Sequence, residues 1–113
     1  MRDYALYLKD ILEAMQAIEK FVENMDFEDF QKNDIVSSAV IRKFEIIGEA
    51  TKGLPETIRN KHPQVPWKEM AGMRDRLIHF YFGIKYDLVW HTIKDVISQV
   101  KPVIQEILKD IVK

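Results

Sequence analysis

Apolar residues recur every three or four positions along almost all of this sequence, which is the period of one face of an α-helix. In the first such stripe, Lys, Asp, Glu and Gln fill most of the intervening positions, so the pattern predicts an amphipathic helix over roughly residues 3–25. The stripe consists of Tyr4, Leu8, Ile11, Met15, Ile18, Val22 and Met25. The sequence has no alternating apolar runs and no Asn-Gly or Asp-Gly turns, so it predicts no strands.

Short polar side chains and a glycine mark helix ends in the first half of the chain. Asp26 and Asp34 are candidate N-caps, because an aspartate can accept a hydrogen bond from a first-turn N–H. They predict a short turn of helix followed by a long helix over about 34–52. Gly53 is typical of the residue just past a helix end, where the left-handed backbone is common.

Prolines divide the second half of the chain. A short helix is predicted to begin at Pro55, and a third main helix to begin with Pro66 as its first residue and to end at Gly83. A fourth helix extends from there to the carboxyl end and contains Pro102, which removes one backbone hydrogen bond. We expect a kink near Gln99 or a break, with Pro102 starting a terminal helix.

Size and composition indicate one globular domain. The chain has 113 residues, of which 47% are hydrophobic and 31% charged. We therefore predict a single all-α domain over residues 1–113, a four-helix bundle with short connections. The formal net charge is −1, so no overall positive field draws the protein to nucleic acid. Any RNA contact has to be local or be assembled from two chains.

Several kinds of segment and site are missing from the sequence. It has no cysteine, which excludes disulfides, thiolate metal sites and cysteine nucleophiles. Charged residues from Asp3 to Glu13 interrupt the amino-terminal segment where a signal peptide needs an apolar run. No stretch approaches the roughly 18 apolar residues of a membrane span. These features predict a cytoplasmic location.

One segment sets polar and charged residues in an apolar context: AGMRDRLIHFYFGI, residues 71–84. In the simplest interpretation, His79 is a hydrogen-bonded core histidine and the two arginines are solvated charges. Helical geometry also allows a site, because Asp75 and His79 are four residues apart and share a face. The carboxylate could then accept a hydrogen bond from one imidazole nitrogen and leave the other free for proton transfer.

The functional groups of this segment do not converge on a regular helix. Arg74 and Tyr81 differ by about 20° around the helix axis, whereas His79 lies about 140° from Arg74. Either the arginine wraps round on its long stem, or the helix distorts, or the two residues meet across a two-fold dimer. Apolar residues that favour such a dimer flank the motif: they are Phe80, Phe82 and Ile84.

Histidine and arginine without a metal are suited to phosphoryl transfer. Histidine can move the proton of a 2′-hydroxyl or of the leaving oxygen, and arginine can bind the developing phosphate charge bidentately. The three histidines do not match zinc spacing, and no Asp/Glu cluster suggests a magnesium site. The serines lie in helical segments without a nearby histidine, which argues against a serine hydrolase.

The segment RDRLIHFY, residues 74–81, has the pattern of an arginine, four residues, a histidine, any residue and a tyrosine. This pattern resembles the signature of HepT-like proteins, a branch of the HEPN domain superfamily. The resemblance extends in family order over nearly the whole chain. Its other segments are VIRKFEIIGEA (40–50), HPQVPWKEMAGMRDRLIHFYFGI (62–84) and YDLVW (86–90).

The resemblance implies a four- to five-helix up-and-down bundle that dimerises with the motif at the subunit interface. It implies a ribonuclease toxin of a type VII toxin–antitoxin pair, whose partner is a minimal nucleotidyltransferase. Arg74 and His79 would form a metal-independent centre that needs no cofactor, and Tyr81 would accept AMP from the partner. Asp75 fills the polar position after the arginine, as in many relatives. Phe80 departs from the polar residue that many members have there, which bears on how exposed Tyr81 is.

Other charged and aromatic residues keep two interpretations each. Glu45 and Glu49 are either a solvated helix face or, for Glu49, an ion pair that orients Arg74. A basic segment around two prolines is either a solvated loop or a contact for the RNA backbone; it contains Arg59, Lys61, His62 and Lys68. Trp67 and Trp90 are interpreted as core anchors rather than as platforms for stacked bases.

Two functions other than ribonuclease also fit the residues. A non-catalytic helical module could use the motif only to dock on the nucleotidyltransferase and regulate it. A bundle that binds a nucleotide without chemistry is the third possibility. Replacing Arg74 separates the first two, because an enzyme loses RNA cleavage whereas a docking module loses partner binding.

Overall fold

The computed structural model describes residues 3–78 and 85–111, with the backbone alone for Arg74, Leu77 and Ile78. Every regular element in these ranges is helical, and they contain no strand. The elements are α1 (Tyr4–Phe21), α2 (Phe27–Lys32), α3 (Asp34–Gly53), α4 (Glu56–Lys61), α5 (Trp67–Ile78), α6 (Tyr86–His91), a π-helical turn (Thr92–Ile97) and α7 (Ser98–Ile111). The prediction of an all-α helical bundle is therefore confirmed.

Helix α3 is central in the bundle. It packs against α1 on one side and against α5 on another, and α1 also contacts α7. The apolar stripes read from the sequence face this core, because each buries side chains that recur at helical spacing. The most deeply buried side chains include Leu8, Ile11, Met15, Ile18, Phe30, Val40, Ile97 and Ile104. No described helix has the length and apolar character needed to cross a bilayer.

The first two helix ends show how capping residues set boundaries. Helix α1 ends at Phe21, earlier than the predicted residue 25, and Asn24 reverses the chain with φ at 64°. Asp26 caps α2 as predicted, in a reciprocal capping box with Asp29. Asp34 is not the cap of α3, however, since the Asn33 side chain accepts the hydrogen bond from Val36 N at 3.0 Å. The prediction for Asp34 was therefore wrong by one residue.

Gly53 has a different role from the predicted one. It is the last residue of α3 rather than the residue beyond the helix end, and Leu54 is the C-cap. A Cβ atom at Gly53 would lie 2.6 Å from two atoms of the Tyr7 ring in α1. The glycine therefore allows close approach of α1 and α3, a tertiary requirement that the local sequence does not reveal.

We expect Gly53→Ala to lower the free energy of unfolding by about 1–2 kcal/mol, because the Tyr7 ring has to move. Alanine in place of glycine otherwise stabilises a helix by up to about 1 kcal/mol. In a Tyr7→Ala background, the same change should become neutral or stabilising. Urea unfolding of the four proteins measures this as a double-mutant cycle. Equal destabilisation in both backgrounds would show that the ring contact is not the cause.

The prolines of the second half lie close to the predicted helix ends. Helix α4 begins at Glu56, one residue after the predicted Pro55, which is its N-cap. Helix α5 begins at Trp67, one residue after the predicted Pro66, whose carbonyl accepts a hydrogen bond from Met70 N at 3.0 Å. The predicted end of this helix at Gly83 lies outside the described residues.

The last helix does not break at Pro102. Helix α7 is helical on both sides of this residue, and the irregularity is the π-helical turn that ends at Ile97. Proline lacks an N–H and crowds the carbonyl four residues earlier, at Ser98. Helix α7 nevertheless continues through Pro102, so the expected break is wrong, and the irregular winding lies at residues 92–97.

Both tryptophans contribute to the core, as predicted. Trp67 is buried, and its indole Nε1 donates a hydrogen bond to the His62 carbonyl at 2.9 Å. Trp90 is partly buried, with its ring centroid 5.3 Å from that of Phe30. Lys94 Nζ lies 4.7 Å from the centre of the Trp90 ring and covers its outer face.

Candidate functional site

The amino-terminal half of the motif lies on α5. This helix buries Trp67 and Met70 on one side and exposes Asp75 and Arg76 on another, so its apolar stripe explains why it packs on α3. The backbone of Arg74 is helical. The predictions for His79 and Tyr81, and those for the flanking Phe80, Phe82 and Ile84, lie outside the described residues.

A contact between α3 and α5 fixes how the two helices are aligned near the motif. Lys52 Nζ lies 3.9 Å from Asp75 Oδ2, with the two side chains 44% and 62% exposed. An ion pair this long and this exposed contributes little to stability. The contact instead shows which turns of the two helices are neighbours, because Asp75 follows Arg74 and Lys52 lies three residues after Glu49. The turn of α5 that carries Arg74 is thus near the turn of α3 that carries Glu49.

Lys52 is a neighbour of the motif that the sequence alone did not single out. The signal was available, because Lys52 lies one helical turn after Glu49 on the same helix. What the sequence lacked was the packing of α3 on α5. Asp75 was predicted to orient His79, and the structure adds a cation beside that carboxylate.

A surface groove of about 480 Å³ lies between α1 and α3, beside this contact. We call it the α1–α3 groove; its charged and polar lining consists of Tyr7, Asp10, Arg42, Glu45, Glu49 and Lys52. Arg42 Nη1 lies 3.5 Å from Glu45 Oε2, so these two charges are paired along the helix. Glu49 is exposed to solvent at the edge of the groove. The lining mixes both signs of charge and so does not form a positive track for RNA.

The described residues contain no group of three or more His, Asp or Glu side chains that could hold a metal ion. The described charged groups near the Arg74 turn include the Lys52 ammonium. Such groups bind and orient a phosphate and stabilise charge that develops on it.

The basic segment of the sequence divides between two surfaces on different sides of α4. Arg59 and Lys68 line a groove of about 640 Å³ where α4 meets the start of α5. We call it the α4–α5 groove; Glu56, Asn60, Trp67 and Glu69 also line it. Lys61 and His62 instead line a different depression, together with Asp110 of α7. The four residues therefore do not form one basic surface.

Comparison with known proteins identifies the family. The family model described as ribonuclease HepT-like matches residues 11–107 of this chain. This chain belongs to the HepT-like ribonuclease family. The match includes α5 with Arg74 and Asp75, α3 with Glu49, and almost all of the helical core.

Three relatives illustrate the similarity to the family. RNase MJ1216 of Methanocaldococcus jannaschii is 49% identical over 97% of this chain and 91% of its own length. RNase TTE0752 of Caldanaerobacter subterraneus is 47% identical over 91% of this chain and 92% of its own. Ribonuclease HepT of Thermococcus cleftensis is 44% identical over 96% of this chain and 98% of its own. Their names assign the ribonuclease activity provisionally. No solved structure matches this chain.

Proposed function

We propose that this protein is a metal-independent endoribonuclease and the toxin of a type VII toxin–antitoxin pair. The observation that carries the proposal is the Arg-x4-His-x-Tyr segment, residues 74–81, within a chain that the HepT-like family model matches over residues 11–107. The α3–α5 contact at Lys52 and Asp75 supports it, because it adds charged groups beside Arg74. The proposed location is the cytoplasm, where the RNA is.

In the proposed reaction, His79 accepts the proton of a 2′-hydroxyl, whose oxygen then attacks the adjacent phosphorus. The bond from phosphorus to the 5′-oxygen breaks, and that oxygen takes a proton from a histidine acid. The products are a 2′,3′-cyclic phosphate and a 5′-hydroxyl, and the proposed proton transfers use side chains alone, without a metal or cofactor. Arg74 binds the phosphate oxygens as negative charge develops on them. Asp75 and Glu49 are proposed as positioning residues for His79 and Arg74.

The proposed active form is a two-fold dimer with the motif at the interface. The reaction needs a base, an acid and a cation that binds the phosphate, which are more roles than one histidine and one arginine supply. A dimer doubles both in one cleft. It also removes the helical-wheel conflict, because Arg74 of one subunit can face His79 of the partner subunit.

The proposed antitoxin is a minimal nucleotidyltransferase that transfers AMP to Tyr81. The phenol oxygen attacks the α-phosphate of ATP in the partner's active site, its proton passes to a base there, and pyrophosphate leaves. The attached AMP is anionic and, on a regular helix, would lie on the same face as Arg74, so it would pair with the cation that otherwise binds RNA.

Purified protein should cleave single-stranded RNA in the presence of excess EDTA. Histidine acid–base chemistry requires no ion, so the rate should stay within about twofold of that in magnesium buffer. The new 3′ ends should carry a 2′,3′-cyclic phosphate or its hydrolysis product, as mass spectrometry of the fragments would show. Strict magnesium dependence would contradict the mechanism. A pure protein that binds the nucleotidyltransferase but never cleaves RNA would support a docking module instead.

A further inference from the structure

The α4–α5 groove combines three kinds of chemistry that the proposed reaction does not use. Arg59 and Lys68 supply cations, Glu56 and Glu69 supply carboxylates, and Trp67 belongs to an apolar wall. The groove has a volume of about 640 Å³, so it can hold a group larger than a phosphate ion. It is formed by two successive elements of the chain and needs no second subunit.

The charged groups of this groove do not form ion pairs with one another. Within the described parts of the chain, neither Arg59 nor Lys68 forms an ion pair with a carboxylate, although two glutamates line the same groove. Arg59 Nε is buried and has no hydrogen-bond partner among the described residues. A buried donor without an acceptor is unfavourable, so native proteins keep few of them. Because the two cations lack carboxylate partners, the groove can donate hydrogen bonds to an anion, above all from the exposed Lys68.

The carboxylates decide which anion fits. A bare phosphate would be repelled by Glu56 and Glu69, and nothing would use their acceptor oxygens. A nucleotide offers an anionic phosphate to the cations and an exocyclic amino group to a carboxylate. Its base and sugar would lie against the apolar wall. Unpaired nucleotides are the form in which proteins read RNA in this way.

The groove is close to the motif along α5. Ala71 lines the groove and precedes Arg74 by three residues, or about 4.5 Å along the helix axis. We propose that the α4–α5 groove binds an unpaired nucleotide of the RNA adjacent to the scissile phosphate. Arg59 and Lys68 bind its phosphate, and Glu56 or Glu69 accepts a hydrogen bond from its base. The inference rests on the proposed ribonuclease function and adds a subsite to it.

Binding is tested with Lys68→Ala and Arg59→Lys, and Lys61→Ala is the matched control. Lys61 is a cation of the same basic segment but lies on another face of α4. The probe is a fluorescent single-stranded oligonucleotide with 2′-O-methyl sugars, which can be bound but not cleaved. Lys68→Ala should weaken binding about three- to tenfold and reduce the slope of log affinity against log salt by about 0.7. Arg59→Lys should weaken binding too, because lysine cannot reproduce the two-pronged hydrogen bonding of arginine.

Kinetics of cleavable RNA separate this subsite from the catalytic centre. Lys68→Ala should raise KM, while kcat at saturating RNA stays within about twofold, because the residue does not touch the reacting atoms. Glu56→Ala combined with Glu69→Ala removes both acceptors and should change the base preferred next to the cleavage site, as sequencing of the RNA ends would show. An unchanged preference would contradict the base contact.

The outcomes distinguish this inference from the function on which it rests. If the wild-type protein binds and cleaves RNA, and Lys68→Ala and Arg59→Lys behave like it and like the Lys61→Ala control, the subsite is wrong and the ribonuclease function stands. If the wild-type protein neither binds nor cleaves RNA, both proposals fail. If Lys68→Ala keeps its RNA affinity but no longer co-purifies with the nucleotidyltransferase, the groove is a protein contact and the inference is overturned. Thermal melting of each variant identifies any loss that is due to unfolding.

Discussion

His79→Ala should lower the rate of RNA cleavage by about 10²–10⁴-fold, the range expected for loss of a general acid–base. Arg74→Ala should lower it by about 10²–10³-fold, because the charge on the phosphate loses its main counterion. The fold should survive both changes, since alanine is the best helix former and a histidine at a subunit interface contributes little to the core. Cleavage of a labelled RNA and thermal melting measure the two effects separately.

Arg76→Ala is the matched control for Arg74→Ala. Arg76 lies two residues further along α5 and is exposed, so its removal changes the charge and helix propensity in the same way. The Arg76→Ala protein should cleave RNA at close to the wild-type rate. If His79→Ala unfolds the protein, the histidine is a core residue and the simpler interpretation of the segment is correct. If Arg76→Ala loses as much activity as Arg74→Ala, the loss comes from the lower positive charge of the segment rather than from a specific role of Arg74.

The dimer makes the same pair of variants more informative. When inactive Arg74→Ala and His79→Ala proteins are mixed and exchange subunits, a heterodimer regains one complete site if arginine and histidine meet across the interface. Random exchange would then restore at most about a quarter of the activity, since half of the dimers are mixed and each has one of two arginine–histidine pairs, without the second histidine of the wild-type cleft. No recovery would show that one arginine and one histidine from different subunits do not make a working site. Sedimentation that finds only a monomer at micromolar concentration would remove the composite site altogether.

Tyr81→Phe should abolish silencing by the nucleotidyltransferase and leave RNA cleavage intact. The change removes the oxygen that attacks ATP but keeps the ring, so packing and the arginine–histidine pair are retained. In cells that express both proteins, the variant should remain toxic where the wild type is protected. Intact-mass and peptide analysis should find adenylyl groups on the wild type and none on the variant.

Tyr86→Phe is the control for this experiment. Tyr86 is a partly buried tyrosine five residues further on, packed edge-on to Phe30 with ring centroids 6.2 Å apart. Its variant should be modified and silenced like the wild type. Adenylyl mass on another residue would show that the acceptor is not Tyr81. A Tyr81→Phe protein that is still silenced by the catalytic action of the partner would end the mechanism.

The sequence by itself determined which segments are helical and which faces are buried. These features depend on local spacing: the stripe from Leu8 to Ile18 forms the buried face of α1, and Asp26 has its donor three residues away. The Arg-x4-His-x-Tyr pattern also identified the family, because the order of residues alone carries it. Local rules were less exact at helix ends, where neighbouring residues such as Asn33 and Asp34 compete for one cap.

The tertiary structure alone decided how residues far apart in the sequence meet. Gly53 is needed because the Tyr7 ring of another helix lies against it, and Lys52 gains its partner Asp75 only where α3 packs on α5. The basic segment likewise divides because α4 has one face towards α5 and another towards α7. Helical periodicity gives the direction of each side chain around its own axis. It does not give the neighbour in that direction, which depends on the packing of the whole core.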